Sequence, residues 1–424
     1  MSTWNPAPPP DSPLGDHAVA TEGTHLAGRH IALLVTGGIA AMKAPMLARS
    51  LRRQGASVTC LLSDEALRYV TEDTLAWASD NQVVTRLSAR AEHLGDGLAF
   101  DAYVVAPATY NTLNKVACGI ADGTVTATLA SALGRLERGR TKILVCPTMH
   151  GSMHTHILTE SLQRLQRLGV IVVPPREENG KHNLPDEGPI VAAVCRAVST
   201  SPLRGRRVLV TGGPIPARLD DVRAVSAMSS GSTAIAVATD LALRGADVSL
   251  VLGAGAADPP SWLCAWRVPE IRGYRELLTR ILDQQPHDAA VLAAAVADFE
   301  PSEVLPGKRP SAGEWNVTLR PTAKVIDEMR SGRPGLHIVG FKLESGVDHA
   351  ALMATACERA SRHGACVANH SEDYVAREHG TAKHIAWLAV PGRDPQRLEG
   401  KRAIAEGVSH HLERTLSSHR SASA

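Results

Sequence analysis

Charge of one sign, paired cysteines and long apolar runs are all scarce in this sequence. Its 424 residues carry a formal net charge of +2, with arginines scattered through helical stretches, so no basic surface for nucleic acid or membrane is marked. The seven cysteines stand singly, mostly inside apolar elements, with no CxxC pair. That excludes a small-domain disulfide framework and predicts reduced thiols in a cytoplasmic protein. No apolar run approaches the roughly 20 residues of a membrane span. The opening MSTWNPAPPPDSPLGDHAVATEG is Pro-rich, with acidic residues and without a signal peptide's apolar core, so residues 1–27 are expected to form a disordered leader. The tail at 417–424 is expected to be flexible in the same way. A full GxGxxG dinucleotide fingerprint is also missing.

What is present is an internal echo. GRHIALLVTGG (Gly28 to Gly38) returns as GRRVLVTGG (Gly205 to Gly213), each a β-branched apolar run ending in a Gly pair and followed by an Ala-rich helix. A second strand follows each helix, SVTCLLS and then DVSLVLG. Two βαβ starts predict an α/β chain of two doubly wound, Rossmann-like domains, over 28–197 and 198–416, joined near VSTSPLRG. Later apolar runs, DAYVVAPAT and KILVCPT in the first half and DAAVLAAAVAD, LHIVGFK and ACVANH in the second, end in small, polar or Pro-containing sequence. Open α/β sheets bind ligands beyond such strand ends.

In the first half, TGGIA (Thr36 to Ala40), Ser63 and APATYNT (Ala106 to Thr112) place small donors and backbone N–H groups where a phosphate-bearing cofactor would sit. The turn CPTMHGSM sets two methionines around His150. A metal reading of His150, His154 and His156 lacks an adjacent acidic partner, and Met149 and Met153 read better as packing beside the pocket.

From about Gly28 to Leu416 the sequence resembles the bifunctional flavoproteins of coenzyme A synthesis, phosphopantothenoylcysteine decarboxylase fused to phosphopantothenate–cysteine ligase. VTGGIAAMKA, APATYNTLNKVACGIAD and PTMHGSM are similar to the family's TGGIAAYKA, APATANTxxKxAxGIAD and PAMNxxM. VTGGPIPARLDDVRAVSAMSSGS is similar to its TxGGTxxxxDxVRxISNxSSGK, and AAAVADF, GK, GFKLES and AN follow in the family's order. The resemblance implies a decarboxylase-type first domain, with FMN lined by Gly37, Gly38, Ser63, Pro107, Thr109 and Asn111. It implies His93 as catalytic base, eight residues before Asp101, and Met149, His150 and Met153 at the substrate. For the ligase-type second domain it implies a nucleotide site of Gly212, Gly213, Asp298, Lys308, Phe341 and Asn369, with Lys308 catalytic and Asp298 at the metal, using Mg²⁺ with CTP or ATP. The expected substrates are a small carboxylic acid and cysteine or a cysteinyl compound, and the expected assembly is a homo-oligomer, trimer-based, a dimer of trimers or higher.

Several positions depart from that pattern. His150 replaces the Asn expected to hold the substrate carboxylate, and the region of the family's clamp cysteine, ENGKHNLPDEGP (Glu178 to Pro189), holds no Cys. Ala227 replaces an Asn, Ser232 replaces a Lys, and the lysine-rich KxKK becomes KRPS. These leave two alternatives beside the housekeeping enzyme: a specialised relative using the same FMN and nucleotide chemistry on another acid or peptide, or a flavin-binding scaffold without catalysis.

Overall fold

The computed structural model describes residues 6–8, 11–94, 100–372 and 384–421, and the chain divides into two compact units, Met1–Val198 and Ser199–Ala424. In the first unit β1 (His30–Val35) leads through α1 (Ala44–Arg53) to β2 (Ser57–Leu62), and the two strands pair in parallel from His30 opposite Ser57 to Val35 opposite Leu62. Helix α1 forms because Ala44, Leu47, Ala48 and Leu51 share one buried face, Pro45 lies in the first turn where no helical N–H is lost, and Arg52 and Arg53 complement the last turn. The unit continues through α2 (Glu72–Ser79), β3 (Val83–Val84), β4 (Ala102–Ala108), α3 (Tyr110–Ala117), α4 (Thr124–Glu137) and β5 (Lys142–Pro147). After β6 (Met149–His150) come α5 (His156–Arg167), β7 (Ile171–Val172), β8 (Arg176–Glu178), β9 (Lys181–Asn183) and α6 (Glu187–Val198).

Six of these strands form a parallel sheet in the order β3-β2-β1-β4-β5-β7. Such strands are covered on both faces, hence the unbroken burial of β4. The order reverses between β1 and β4, which opens a crevice at their carboxyl ends. The remaining three strands make a small antiparallel sheet, β6-β9-β8.

The leader differs from expectation. Leu26 is fully buried and its N–H donates to the Gln54 carbonyl at 2.8 Å. The Glu22 and Gly23 N–H groups both reach the Arg53 carbonyl, at 2.9 and 3.2 Å. The end of α1 leaves carbonyls without helical partners, and the leader satisfies them. Residues 1–5, 9 and 10 lie outside the described residues.

The second unit carries an eight-stranded sheet. In chain order its strands are β10 (Arg207–Gly212), β14 (Asp247–Gly253), β15 (Ala265–Val268), β16 (Ala289–Leu292), β20 (His337–Glu344), β21 (Gly364–His370), β22 (Ile385–Ala389) and β23 (Gln396–Glu399); their spatial order is β15-β14-β10-β16-β20-β21-β22-β23. Pairing is parallel as far as β21 and antiparallel for the last two strands. Short pairs decorate it: β11 (Pro214–Ile215) with β17 (Ala295–Val296), β12 (Ala217–Arg218) with β13 (Ala224–Val225), and β18 (Phe299–Pro301) with β19 (Leu319–Pro321). Helices α7 (Ser232–Leu243), α8 (Ile271–Gln284), α9 (Val325–Gly332) and α10 (His349–His363) cover the sheet with a final helix, Gly400–Ser421. That final helix runs past the expected boundary at 416: Leu412 and Leu416 are buried one turn apart, and no Gly or Pro interrupts the chain between Leu416 and Ser421. Residues 422–424 lie outside the described residues.

Candidate functional sites

A cavity of about 850 Å³ opens at the carboxyl ends of the first unit's sheet, and it gathers Gly37, Gly38, Ser63, Pro107, Thr109, Asn111, Met149, His150 and Met153. Threonines fix its floor. Thr36 Oγ1 donates to the Pro107 carbonyl at 2.7 Å and accepts from the Thr109 N–H at 3.2 Å, tying the turn after β1 to the turn after β4. Gly37 is there because a Cβ would stand 2.3 Å from Glu65 Cβ and 3.0 Å from the Glu65 carbonyl carbon; only glycine lets the turns after β1 and β2 approach so closely. Ser63 Oγ is buried without a hydrogen-bond partner among the described residues, so this hydroxyl at the cavity wall is free to bond a ligand. The exposed Asn111 adds an amide at the start of α3. Glycine-lined turns, an unpaired hydroxyl and a helix start suit a phosphate-bearing flavin.

The β8–β9 hairpin forms one wall of the cavity through Arg176, Lys181, His182, Asn183 and Leu184. It rests on Gly151, whose N–H donates to the Gly180 carbonyl at 3.1 Å and where a Cβ would lie 2.2 Å from that oxygen. The His154 and His182 rings meet Nδ1 to Nε2 at 3.0 Å, linking the approach to α5 with the hairpin. His150 Nδ1 accepts the Ser152 N–H at 3.2 Å, so the neutral ring carries its proton on Nε2. Met149 is buried in the core as expected of a packing residue, whereas Met153 is exposed at the cavity. Among the described residues no group of three His, Cys, Asp or Glu side chains is arranged to hold a metal.

His93 is the exception in the first unit. It is not among the residues lining the cavity; it lies half-buried in the segment after β3, with Nδ1 buried and without a hydrogen-bond partner among the described residues. The single chain thus leaves His93 apart from the residues that line the cavity. Spacing from Asp101 located the loop, but Asp101 itself is occupied by Arg29 and the His30 N–H, a strand-start anchor.

In the second unit the turn after β10 is close-packed: a Cβ on Gly213 would lie 2.5 Å from Ala256 Cβ, and Gly213 has φ +75°. Gly213 also accepts from the Ala295 N–H at 2.9 Å, which joins the turn to the AAAVAD strand end. Asp298 pairs with Lys324 and is largely exposed. Asn369 is 6% exposed and its Nδ2 has no partner among the described residues, a buried amide donor at the carboxyl end of β21. Phe341 packs against the core beside Val367. Lys308 is exposed on a loop that sequence reading did not explain: the Gly307 N–H donates to Asp221 at 2.9 Å, and the Arg309 N–H to Asp220 at 3.2 Å. Asp220 is buried, which raises its pKa, but the N–H groups of Val222, Arg223 and Arg309 and the Arg223 guanidinium more than offset this and hold it at about 2. Lys308 thus hangs between two anchored neighbours. The signal was the doubled acid of LDDVR.

Comparison with known proteins gives these sites a family. The model of the family described as "Flavoprotein" matches residues 19–199, and that described as "DNA/pantothenate metabolism flavoprotein C-terminal domain" matches 203–415. The coenzyme A biosynthesis bifunctional protein CoaBC of Thermococcus kodakarensis is 33% identical over 411 residues, covering 94% of this chain and 98% of that protein. The chain belongs to the CoaBC family. The CoaBC of Methanocaldococcus jannaschii is 28% identical over 345 residues, 81% of this chain and 83% of that protein. A cysteine/cysteine sulfinic acid decarboxylase of an unknown prokaryotic organism is 32% identical over 296 residues, 65% of this chain and 80% of that protein. Along this chain the flavoprotein match comes first and the pantothenate-metabolism match second. Among the described residues no helix is long and apolar enough to cross a membrane.

Proposed function

We propose that the chain is a bifunctional enzyme of coenzyme A biosynthesis: the second unit joins phosphopantothenate, or a related acid, to cysteine with a nucleoside triphosphate and Mg²⁺, and the first decarboxylates the cysteinyl product with FMN. The observation that carries this reading is the match along both units to a CoaBC protein over 94% of the chain. Bound FMN would supply the electron acceptor for the cysteinyl thiol. This chain's residues would do the rest: the turn at Gly37 admits the phosphate, Ser63 and Asn111 donate to it, and Pro107 and Thr109 hold the floor. His150 offers Nε2–H in place of the family's amide, and neutral imidazole at His93 accepts a proton once brought to the site. Because His93 lies outside the cavity while Ile39, Met42 and Met153 line it and are exposed, we assign the missing contact to a homo-oligomeric interface, trimer-based or larger.

In the second unit Lys308 offsets triphosphate charge, and Asn369 donates its unpaired amide to the nucleotide, CTP or ATP. Asp298 offers one carboxylate, so Mg²⁺ arrives held chiefly by the phosphates, as is usual for this ion. A second reading, another acid or peptide as substrate, is favoured by the hairpin wall, where cationic and imidazole side chains stand in a segment that holds no thiol. Reconstitution with FMN, followed by carbon dioxide release from a panel of cysteinyl compounds, tests both. Turnover of phosphopantothenoylcysteine above all others supports the first reading; turnover of a different cysteinyl compound alone supports the second; a protein that takes up no FMN is neither.

A further inference from the structure

The cavity wall contains a cation that makes no ion pair among the described residues. Four basic residues with permanent charge line the cavity: Lys43, Lys115, Arg176 and Lys181. Lys115 pairs with Asp122 at 2.6 Å, Lys43 with Asp186 at 3.5 Å, and Arg176 with Asp186 at 3.4 Å and Glu178 at 3.5 Å. Lys181 makes no ion pair among the described residues: Glu178, which stands opposite it across the β8–β9 ladder, is paired with Arg176 instead. The place of Lys181 is set by sheet register. In the antiparallel pairing of β6 with β9, His150 stands directly opposite Lys181, so the two side chains project from the same face with Cβ atoms about 5 Å apart. The Ser152 N–H occupies His150 Nδ1, leaving Nε2–H as the ring's remaining donor. A fixed imidazole N–H beside an ammonium that makes no ion pair is a two-donor site for an oxyanion.

We propose that Lys181, with His150, recognises an oxyanion of the substrate, so that Lys181 is a specificity-determining residue carried by the hairpin. The proposal rests on the FMN-dependent reading of the first unit and deepens it by naming the feature its substrate must bear. A phosphopantothenoylcysteine-like compound has two such groups, a phosphate at one end and a carboxylate at the other. Their shared chemistry is what the pair reads. The lysine gives charge without a fixed direction and the imidazole gives direction without full charge, so the site tolerates either oxyanion. The hairpin is also the wall where the family's clamp cysteine is missing.

The test uses the full chain loaded with FMN and serine analogues of the substrate, which lack the thiol and so do not turn over. Binding is measured by calorimetry for the phosphorylated acid, the dephosphorylated acid, the phosphorylated carboxamide and inorganic phosphate, in wild type, Lys181→Met and Lys181→Arg. Lys181→Met is expected to weaken binding about tenfold while FMN content is unchanged, and Lys181→Arg to keep most of it. A loss seen only with phosphorylated probes assigns the phosphate; a loss confined to the free acids assigns the carboxylate. Both support the inference. Wild-type affinity retained by Lys181→Met for every probe overturns it. A wild type that binds none of the analogues contradicts the substrate class instead, and the role of Lys181 is then decided by inorganic phosphate: binding lost in Lys181→Met upholds it, and binding unchanged or absent rejects it.

Discussion

Gly37→Ala is the sharpest local perturbation of the flavin cradle. The new methyl would lie 2.3 Å from Glu65 Cβ and 3.0 Å from its carbonyl carbon, so no rotamer change relieves the clash and the Ser63–Glu65 turn must move. Overpacking of this kind costs roughly 1–3 kcal/mol. Placed on the cofactor-binding conformation, that is about a 5- to 150-fold loss of FMN affinity. The cause can be isolated with Glu65→Gly, which removes one of the clashing atoms. Gly37→Ala should cost less in that background than in wild type, giving a measurable coupling between the two positions. Flavin titration of the apoprotein, with circular dichroism as a check of folding, reads all four proteins. Undiminished affinity in Gly37→Ala, or an equal loss in both backgrounds, would refute the close-approach argument.

Thr109→Ala with Asn111→Ala should release FMN on dialysis, since the pair removes a floor hydroxyl and a ligand-side amide; a variant that stays yellow rejects their role. In the second unit, Ala227 lies in an exposed stretch before α7 and can donate no amide. Pyrophosphate release should therefore outrun amide formation, and Ala227→Asn should close a gap of about 10²-fold; equal rates in wild type would show Ala227 to be harmless. His411 is buried, with its Nε2 2.8 Å from that of His337, and burial first, then His337, Arg414 and Arg393, lowers its pKa from 6.5 to about 4. A histidine held neutral when folded leaves more protons on the unfolded chain, so its contribution is complete above pH 6.5 and is lost as pH falls toward 4, by at most about 3 kcal/mol. Hydrogen exchange across β20 and the final helix at about pH 7.5 and about pH 5 should show the loss, and His411→Gln should reduce it; an identical pH response in the variant would disprove the assignment.

The parts of this chain that were legible in sequence are those governed by continuous burial. Strands such as Ile31–Val35 and Val208–Val210 are apolar without alternation because parallel sheets are covered on both faces, and the Gly pairs after them mark where ligand turns begin. The cavity residues of the first unit were legible for the same reason, as each follows a strand end. The hairpin wall was not: β8 and β9 are three residues each and polar, and β9 pairs with β6 where Gly151 lets the turn at Gly180 approach. The leader misled because its composition is that of a disordered segment, while its order comes from one buried leucine and the unpaired carbonyls at the end of α1. For His93, motif spacing gives a position along the chain, and the described residues of one chain do not bring it to the cavity lining.

The most direct test of the account is one reaction in one vessel. The purified full chain is supplied with FMN, phosphopantothenate, cysteine labelled at its carboxyl carbon, Mg²⁺ and CTP or ATP, and the label is followed with time. Label is expected first in an amide of the acid with cysteine, with pyrophosphate released, and then as carbon dioxide, and Lys308→Ala is expected to abolish the first step while leaving decarboxylation of the supplied amide intact. Label that remains entirely in cysteine with either nucleotide, in a protein shown to hold FMN and to be folded, would contradict it.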